Sequence, residues 1–128
     1  MDSNEDAAWN LARELVQIDS SDPGAYEGEI ERHIPESLAS RLSMGELEVL
    51  PGRTELMATI PGATDEPRLV FICHMDTVTL GDGWDDDIDP LSGLIRGDRL
   101  YGRGACDMKS GLASAMVAFE AALEKMAR

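Results

Sequence analysis

The spacing of apolar residues along the chain changes from helical to strand-like and back again. Apolar residues at steps of three and four predict a first helix that ends near Ile18. The same spacing from Ile30 to Leu42 predicts a second helix, in which Pro35 should cause a kink or break. His33 lies beside this second stripe and is expected to be a surface or packing residue, not a ligand.

Strand-like segments follow in the middle of the chain. Residues 47–50 and 55–60 read as two short strands joined by Pro51-Gly52. Residues 69–73 are apolar without alternation, which is typical of a strand covered on both faces. Gly97-Asp98 has the composition of a two-residue hairpin turn between residues 94–96 and 99–101.

The last predicted element is a helix from about Met108. Its apolar stripe is expected to be core and consists of Met108, Leu112, Met116, Phe119, Leu123 and Met126. Because helices come before and after a strand that needs cover on both faces, the pattern predicts an α/β sandwich.

Composition narrows the range of functions. The 128 residues suffice for one domain with a core, and a net charge of −14 disfavours binding to nucleic acid. No apolar run approaches the roughly 18 residues that cross a membrane, so no membrane partner is expected. Cys73 and Cys106 fit no zinc or redox spacing, and the N-terminus resembles no secretory signal. These features predict a reduced, cytoplasmic protein.

The first candidate site residues follow the predicted third strand. If the chain stays extended after residue 73, His74 and Asp76 point to the same side. An imidazole can then bind a metal while the carboxylate accepts a hydrogen bond from its second ring nitrogen. Alone, a His-x-Asp sequence at a strand end is more often structural.

Asp107 is the second candidate, between a glycine-rich approach and the last helix. Capping of that helix is the simplest role for it. Gly102, Gly104 and Gly111 indicate close backbone packing around Asp107, which capping alone does not require. A carboxylate can also bridge two cations about 3.5–4 Å apart, the spacing in two-metal hydrolases.

Together, residues 74–78 and 99–109 resemble the zinc-dependent amidohydrolase and exopeptidase family of acetylornithine deacetylase, succinyl-diaminopimelate desuccinylase, aminoacylase-1 and glutamate carboxypeptidase. The resemblance implies that His74 is a ligand of one zinc ion and that Asp107 bridges both. It implies that Asp76 is the catalytic-site residue that orients His74. It also implies a cis peptide bond between Asp107 and Met108.

The resemblance further implies a metal-dependent amidohydrolase or metallopeptidase that cleaves the amide bond of an N-acyl amino acid or small peptide. Two Zn²⁺ ions, with Co²⁺ as an alternative, would act with a glutamate base that lies outside this chain. The implied fold is a three-layer sandwich with a mixed, mostly parallel sheet. Residues 1–128 are expected to be the N-terminal portion of the catalytic domain, with the lid and dimerisation domain absent.

Such a truncated chain is expected to be inactive, to bind zinc at low occupancy and to self-associate as a homo-oligomer through its unfinished sheet. A non-enzymatic homologue that serves as an interaction or structural module is the alternative function. A fragment of an ordinary enzyme is a third possibility. Which acyl group the parent protein would accept stays open.

Overall fold

A computed structural model describes residues 3–38 and 43–126. The described elements are α1 (Ser3–Gln17), α2 (Gly28–Leu38), β1 (Ser43–Leu50), β2 (Arg53–Thr59), β3 (Leu94–Arg96), β4 (Arg99–Tyr101), a π-helical turn (Ala105–Lys109) and α3 (Ser110–Met126). The strands form two separate antiparallel hairpins, β1-β2 and β3-β4.

The core lies where α1, α2 and the first half of α3 meet. Its buried residues come from the apolar stripes of the three helices: Ala12, Leu15, Ile30, Ile34, Leu112, Ala113 and Met116. Leu56 of β2 packs against this cluster from the first hairpin. Among the described helices, none combines the length and apolar character needed to cross a membrane.

Both predicted hairpins are present. Glu46 of β1 pairs with Leu56 of β2, and Ile95 pairs with Leu100 around the Gly97-Asp98 turn. Gly97 has a φ of +60°, the left-handed conformation that this turn requires.

Two predictions about the helices need correction. Of the kink or break expected at Pro35, the break is wrong, because α2 remains α-helical from Gly28 to Leu38; Leu42 of the same stripe lies outside the described residues. The stripe of α3 is core only in its first half, since Met116 is 5% exposed and Met126 is 60% exposed. The buried residues of α3 lie in its N-terminal half, while Phe119 and Leu123 are only partly buried and Met126 is exposed.

The predicted third strand is also wrong for the described chain. Residues 69–73 are assigned to no strand, and Ile72 is 89% exposed. A strand requires a hydrogen-bonded neighbour along its length. Among the described residues, the single isolated parallel bridge pairs Ser21 with Thr77, which lies beyond the C-terminal end of this segment. The apolar run 69–72 therefore stands open to solvent.

The fold class is α/β, as predicted, with antiparallel strand pairs. The finer expectation, a three-layer sandwich around a mostly parallel sheet, would require strands in addition to the two antiparallel pairs that the described residues form.

Candidate metal centre

Two segments from distant parts of the sequence meet at the candidate site. The first carries His74 and Asp76 and follows the open apolar run. The second is the π-helical turn, which begins after Gly104 in a left-handed conformation with φ +78°. A Cβ atom at Gly104 would lie 2.5 Å from Cγ2 of Thr77, so only glycine allows the two segments to approach this closely.

The imidazole of His74 lies between two carboxylates. Its Nε2 is 2.9 Å from Oδ1 of Asp107. Its Nδ1 is 3.0 Å from the backbone oxygen of Asp76 and 3.3 Å from Oδ1 of the same residue. The backbone N–H of His74 donates a hydrogen bond to Sδ of Met108 at 3.3 Å, which joins the segments a second time. The cis peptide bond expected between Asp107 and Met108 is present.

This arrangement favours the protonated imidazole. The hydrogen bond that Nε2 of His74 donates to Asp107 raises the pKa of His74 above its usual value, and the backbone oxygen and charge of Asp76 act in the same direction. Burial of the ring opposes them more weakly than the hydrogen bond to Asp107. A cation placed between His74 and Asp107 would meet the same negative field that now attracts the proton.

The site is open. The side chain of Asp107 is 86% exposed, and those of His74 and Asp76 are 44% and 41% exposed. An imidazole nitrogen and a carboxylate oxygen are donors that zinc accepts, so the pair fits zinc in type. In number it falls short, because within residues 3–38 and 43–126 no group of three His, Cys, Asp or Glu side chains could hold one ion.

The loop between the two segments is fastened to the glycine-rich approach through Arg103. Its guanidinium donates to the backbone oxygen of Leu80 at 2.7 Å and lies 5.2 Å from the ring centre of Trp84. Its backbone N–H donates to the backbone oxygen of Pro90 at 2.7 Å. Arg103 thereby fixes the chain just before the π-helical turn that carries Asp107.

Lys109 is a buried residue of the site region to which the sequence analysis gave no role. It is 1% exposed, and its Nζ donates to the backbone oxygen of Ile18 at 2.6 Å. Burial lowers the pKa of Lys109 to about 8, although the charge of Asp19 acts against this shift. The sequence did contain a signal, because Lys109, Leu112 and Met116 share the helical spacing of the buried face.

Comparison with known proteins gives the same region of the chain. Residues 70–128 match the model of peptidase family M20/M25/M40. A succinyl-diaminopimelate desuccinylase from Gluconobacter oxydans is 48% identical over 59 residues, which cover 46% of this chain and 15% of that protein. The segment that matches the family model, residues 70–128, includes His74, Asp76 and Asp107.

Two longer matches extend over most of the chain. The succinyl-diaminopimelate desuccinylase of Methylobacterium radiotolerans is 35% identical over 124 residues, 94% of this chain and 31% of that protein. That of Parvibaculum lavamentivorans is 34% identical over 124 residues, 93% of this chain and 29% of that protein. The chain thus spans about a third or less of the length of these relatives. The family resemblance predicted from residues 74–78 and 99–109 is confirmed.

Proposed function

Because this chain belongs to peptidase family M20/M25/M40, we propose that it supplies part of the metal centre of a metal-dependent amidohydrolase. The supporting observation is the contact of 2.9 Å between Nε2 of His74 and Oδ1 of Asp107. His74 would be a ligand of one zinc ion, and Asp107 would bridge two.

Asp76 has a positioning role in this proposal. Both its backbone oxygen and its carboxylate face Nδ1 of His74, at 3.0 and 3.3 Å. An acceptor on Nδ1 keeps the proton there and leaves Nε2 with a free lone pair for a metal. The carboxylate of Asp76 also makes Nε2 of His74 a stronger electron-pair donor to a metal ion.

The metal, when bound, would polarise the scissile carbonyl and lower the pKa of a water molecule. His74 and Asp107 of this chain would fix the position of that metal ion. Asp107 lies 86% exposed on the open side of the site, where a second ion and a substrate could reach it. The general base and the remaining ligands would come from sequence that the relatives contain outside the matched third.

The substrate class we propose is an N-acyl amino acid, with a succinyl group as the first candidate. Three similar relatives carry the name succinyl-diaminopimelate desuccinylase. Acetyl amino acids and small peptides are the other members of the same class of amide substrates.

The open apolar run supports a second part of the proposal, namely the three-layer sandwich. Residues 69–72 are between 51% and 89% exposed, which is unusual for four consecutive apolar side chains. We attribute this exposure to a strand whose sheet neighbours lie in the two thirds of the relatives that the chain does not span. In the isolated chain, a second copy could supply the missing neighbour.

The test is an assay of amide hydrolysis by the longest protein whose gene includes this sequence, loaded with Zn²⁺ or Co²⁺. N-succinyl, N-acetyl and dipeptide substrates are compared by the release of free amine. We expect one of the three to be hydrolysed, and His74→Ala and Asp107→Asn each to lower the rate at least a hundredfold. No hydrolysis of any of them by folded, metal-loaded protein would refute the proposal.

His33→Ala is the matched control, because His33 is the only other histidine in the chain. Its Nε2 lies 3.4 Å from a carboxylate oxygen of Glu14, on the helical side of the molecule. We expect its rate to stay within twofold of the unmodified protein. If His33→Ala and His74→Ala lowered the rate equally, the assignment of His74 would be wrong.

A further inference from the structure

A short segment that belongs to neither half of the site contacts both halves. We call residues 18–22, which follow α1 and precede the turn at Pro23, the brace. Ser20 within it is fully buried. Neither metal-binding chemistry nor helix capping accounts for the set of hydrogen bonds that the brace makes.

On the His74 side, the brace bonds to residues 75–77. The hydroxyl of Ser20 donates to the backbone oxygen of Met75 at 2.8 Å. The N–H of Thr77 donates to the backbone oxygen of Ser20 at 2.9 Å, and the N–H of Asp22 donates to that of Thr77 at 2.8 Å. These three bonds surround Asp76 and fix the backbone directly after His74.

On the Asp107 side, the brace bonds to Lys109. The ammonium donates to the backbone oxygen of Ile18 at 2.6 Å, and the N–H of Lys109 donates to the backbone oxygen of Gly104 at 2.9 Å. Lys109 therefore ties the π-helical turn, with Asp107 in it, to the first residue of the brace. The ammonium also faces the C-terminal end of α1, where the helix dipole favours a cation.

From these contacts we propose that Lys109 and Ser20 are positioning residues, which hold His74 and Asp107 in register through the brace. The inference rests on the proposed function, since it assigns the brace to the metal centre. A metal site tolerates ligand displacements of only about 0.5 Å, so two ligands 33 positions apart need a common support. An apolar side chain would fill the site of Lys109 without the desolvation of a charge, yet it could not donate a hydrogen bond to the backbone oxygen of Ile18.

The experiment compares Lys109→Met and Ser20→Ala with the unmodified chain. Methionine keeps the unbranched apolar stem of lysine and removes the donor. Zinc binding is measured by calorimetry on protein that circular dichroism shows to be folded. We expect each variant to weaken zinc binding about tenfold, the lower end of the effect of indirect ligand supports. Lys109→Arg, which retains a donor, should recover part of the loss.

Ile34→Val is the control for a purely structural effect. Ile34 is a buried core residue of α2, and its truncation should lower the unfolding temperature while zinc affinity stays within twofold. If Lys109→Met and Ser20→Ala also left the zinc affinity within twofold, the positioning role would be refuted. Absence of zinc binding by the unmodified chain would instead count against the proposed function.

Amide hydrogen exchange of metal-free protein tests the positioning role without zinc. The N–H of His74 bonds to Met108, and Lys109 makes none of its hydrogen bonds with His74. We expect Lys109→Met to speed exchange of the His74 amide at least threefold, because the turn that carries Met108 loses its tie to the brace. An unchanged rate at His74, or an equal change in Ile34→Val, would overturn the proposal.

Discussion

His74 and Asp107 lie 33 positions apart in the chain, and Nε2 of the first is 2.9 Å from Oδ1 of the second. The contact joins the end of the apolar run to the π-helical turn before α3. It places an imidazole and a carboxylate side by side on an open surface, where the hydrogen bond between Nε2 and Oδ1 occupies the position that we assign to a metal ion.

The first prediction concerns the proton itself. In metal-free protein, the pKa of His74 lies above its usual value because Asp107 and Asp76 favour the charged ring. Asp107→Asn should lower that pKa, since the amide carries no charge and removes the main cause of the shift. Nuclear magnetic resonance titration of the two imidazoles measures it directly.

Asp98→Asn, in the exposed turn between β3 and β4, is the control for a general loss of negative charge. It should leave the His74 titration unchanged. An equal fall of the His74 pKa in both variants would mean that the net charge of −14, and not the contact with Asp107, raises the value.

The second prediction concerns the close approach at Gly104. Gly104→Ala adds a Cβ atom that would lie 2.5 Å from Cγ2 of Thr77, and it also strains a left-handed φ of +78°. Together these effects should lower the free energy of unfolding by roughly 2–4 kcal/mol. Chemical denaturation measures the loss.

Gly52→Ala separates the two causes. Gly52 has almost the same φ, +75°, with no atom within 4 Å of the added Cβ. It should therefore lose only the backbone contribution of about 1–2 kcal/mol. Equal losses in the two variants would show that the segments do not pack as closely as described.

The third prediction concerns pH and Lys109. Its pKa in the folded chain is about 8, below the ordinary value of 10.5. Between pH 8 and 10.5 the folded state therefore releases this proton first, and the cost of burying the charge disappears as pH rises. The stability of the unmodified chain relative to Lys109→Met should rise across this range, by an amount on the order of 2 kcal/mol.

The comparison with Lys109→Met is needed because Cys73 acts in the opposite direction. Burial raises the pKa of its thiol, so its contribution to stability falls as the unfolded thiol ionises. Both proteins contain Cys73, and the difference between them isolates Lys109. A difference that stays constant from pH 7 to 10.5 would contradict the burial of a charged lysine.

The fourth prediction concerns the open apolar run. The isolated chain should self-associate, and Ile72→Lys should raise the monomer fraction by charge repulsion along an unpaired edge. Ile72 is 89% exposed, so the change should cost little stability. Light scattering at increasing concentration, with Leu47→Lys on β1 as control, measures the effect. A monomer at all concentrations would contradict self-association.

Secondary structure was predictable from the sequence where it depends on residues close together in the chain. Helix α1, both hairpins and the start of α3 follow from apolar spacing and from the turn residues Pro51-Gly52 and Gly97-Asp98. Residues 69–73 were predicted as a strand because their composition suits a buried one. Composition cannot supply a neighbour, and pairing is what makes a strand.

The contact between the candidate site residues was predictable from the sequence, and the segments that support it were less so. His74, Asp76 and Asp107 were chosen as candidates from motif and family resemblance, and in the structure His74 contacts both carboxylates. The positioning roles that we propose for Ser20 and Lys109 depend on backbone carbonyl groups 55 and 91 positions away in the sequence, which no local pattern reveals. Pro35 shows the reverse error, because a helix held by a buried face can absorb one missing hydrogen bond.

Calorimetric zinc titration of the isolated chain tests the central claim most directly, with His74→Ala, Asp107→Asn and His33→Ala as the variants. Four-ligand sites bind zinc with about 10–16 kcal/mol, so two of those ligands should give a dissociation constant between about 1 and 200 µM. We predict such binding for the unmodified chain and for His33→Ala, and its loss in His74→Ala and Asp107→Asn. Zinc binding that survives the loss of His74, or that is undetectable in the unmodified folded chain, would contradict the account.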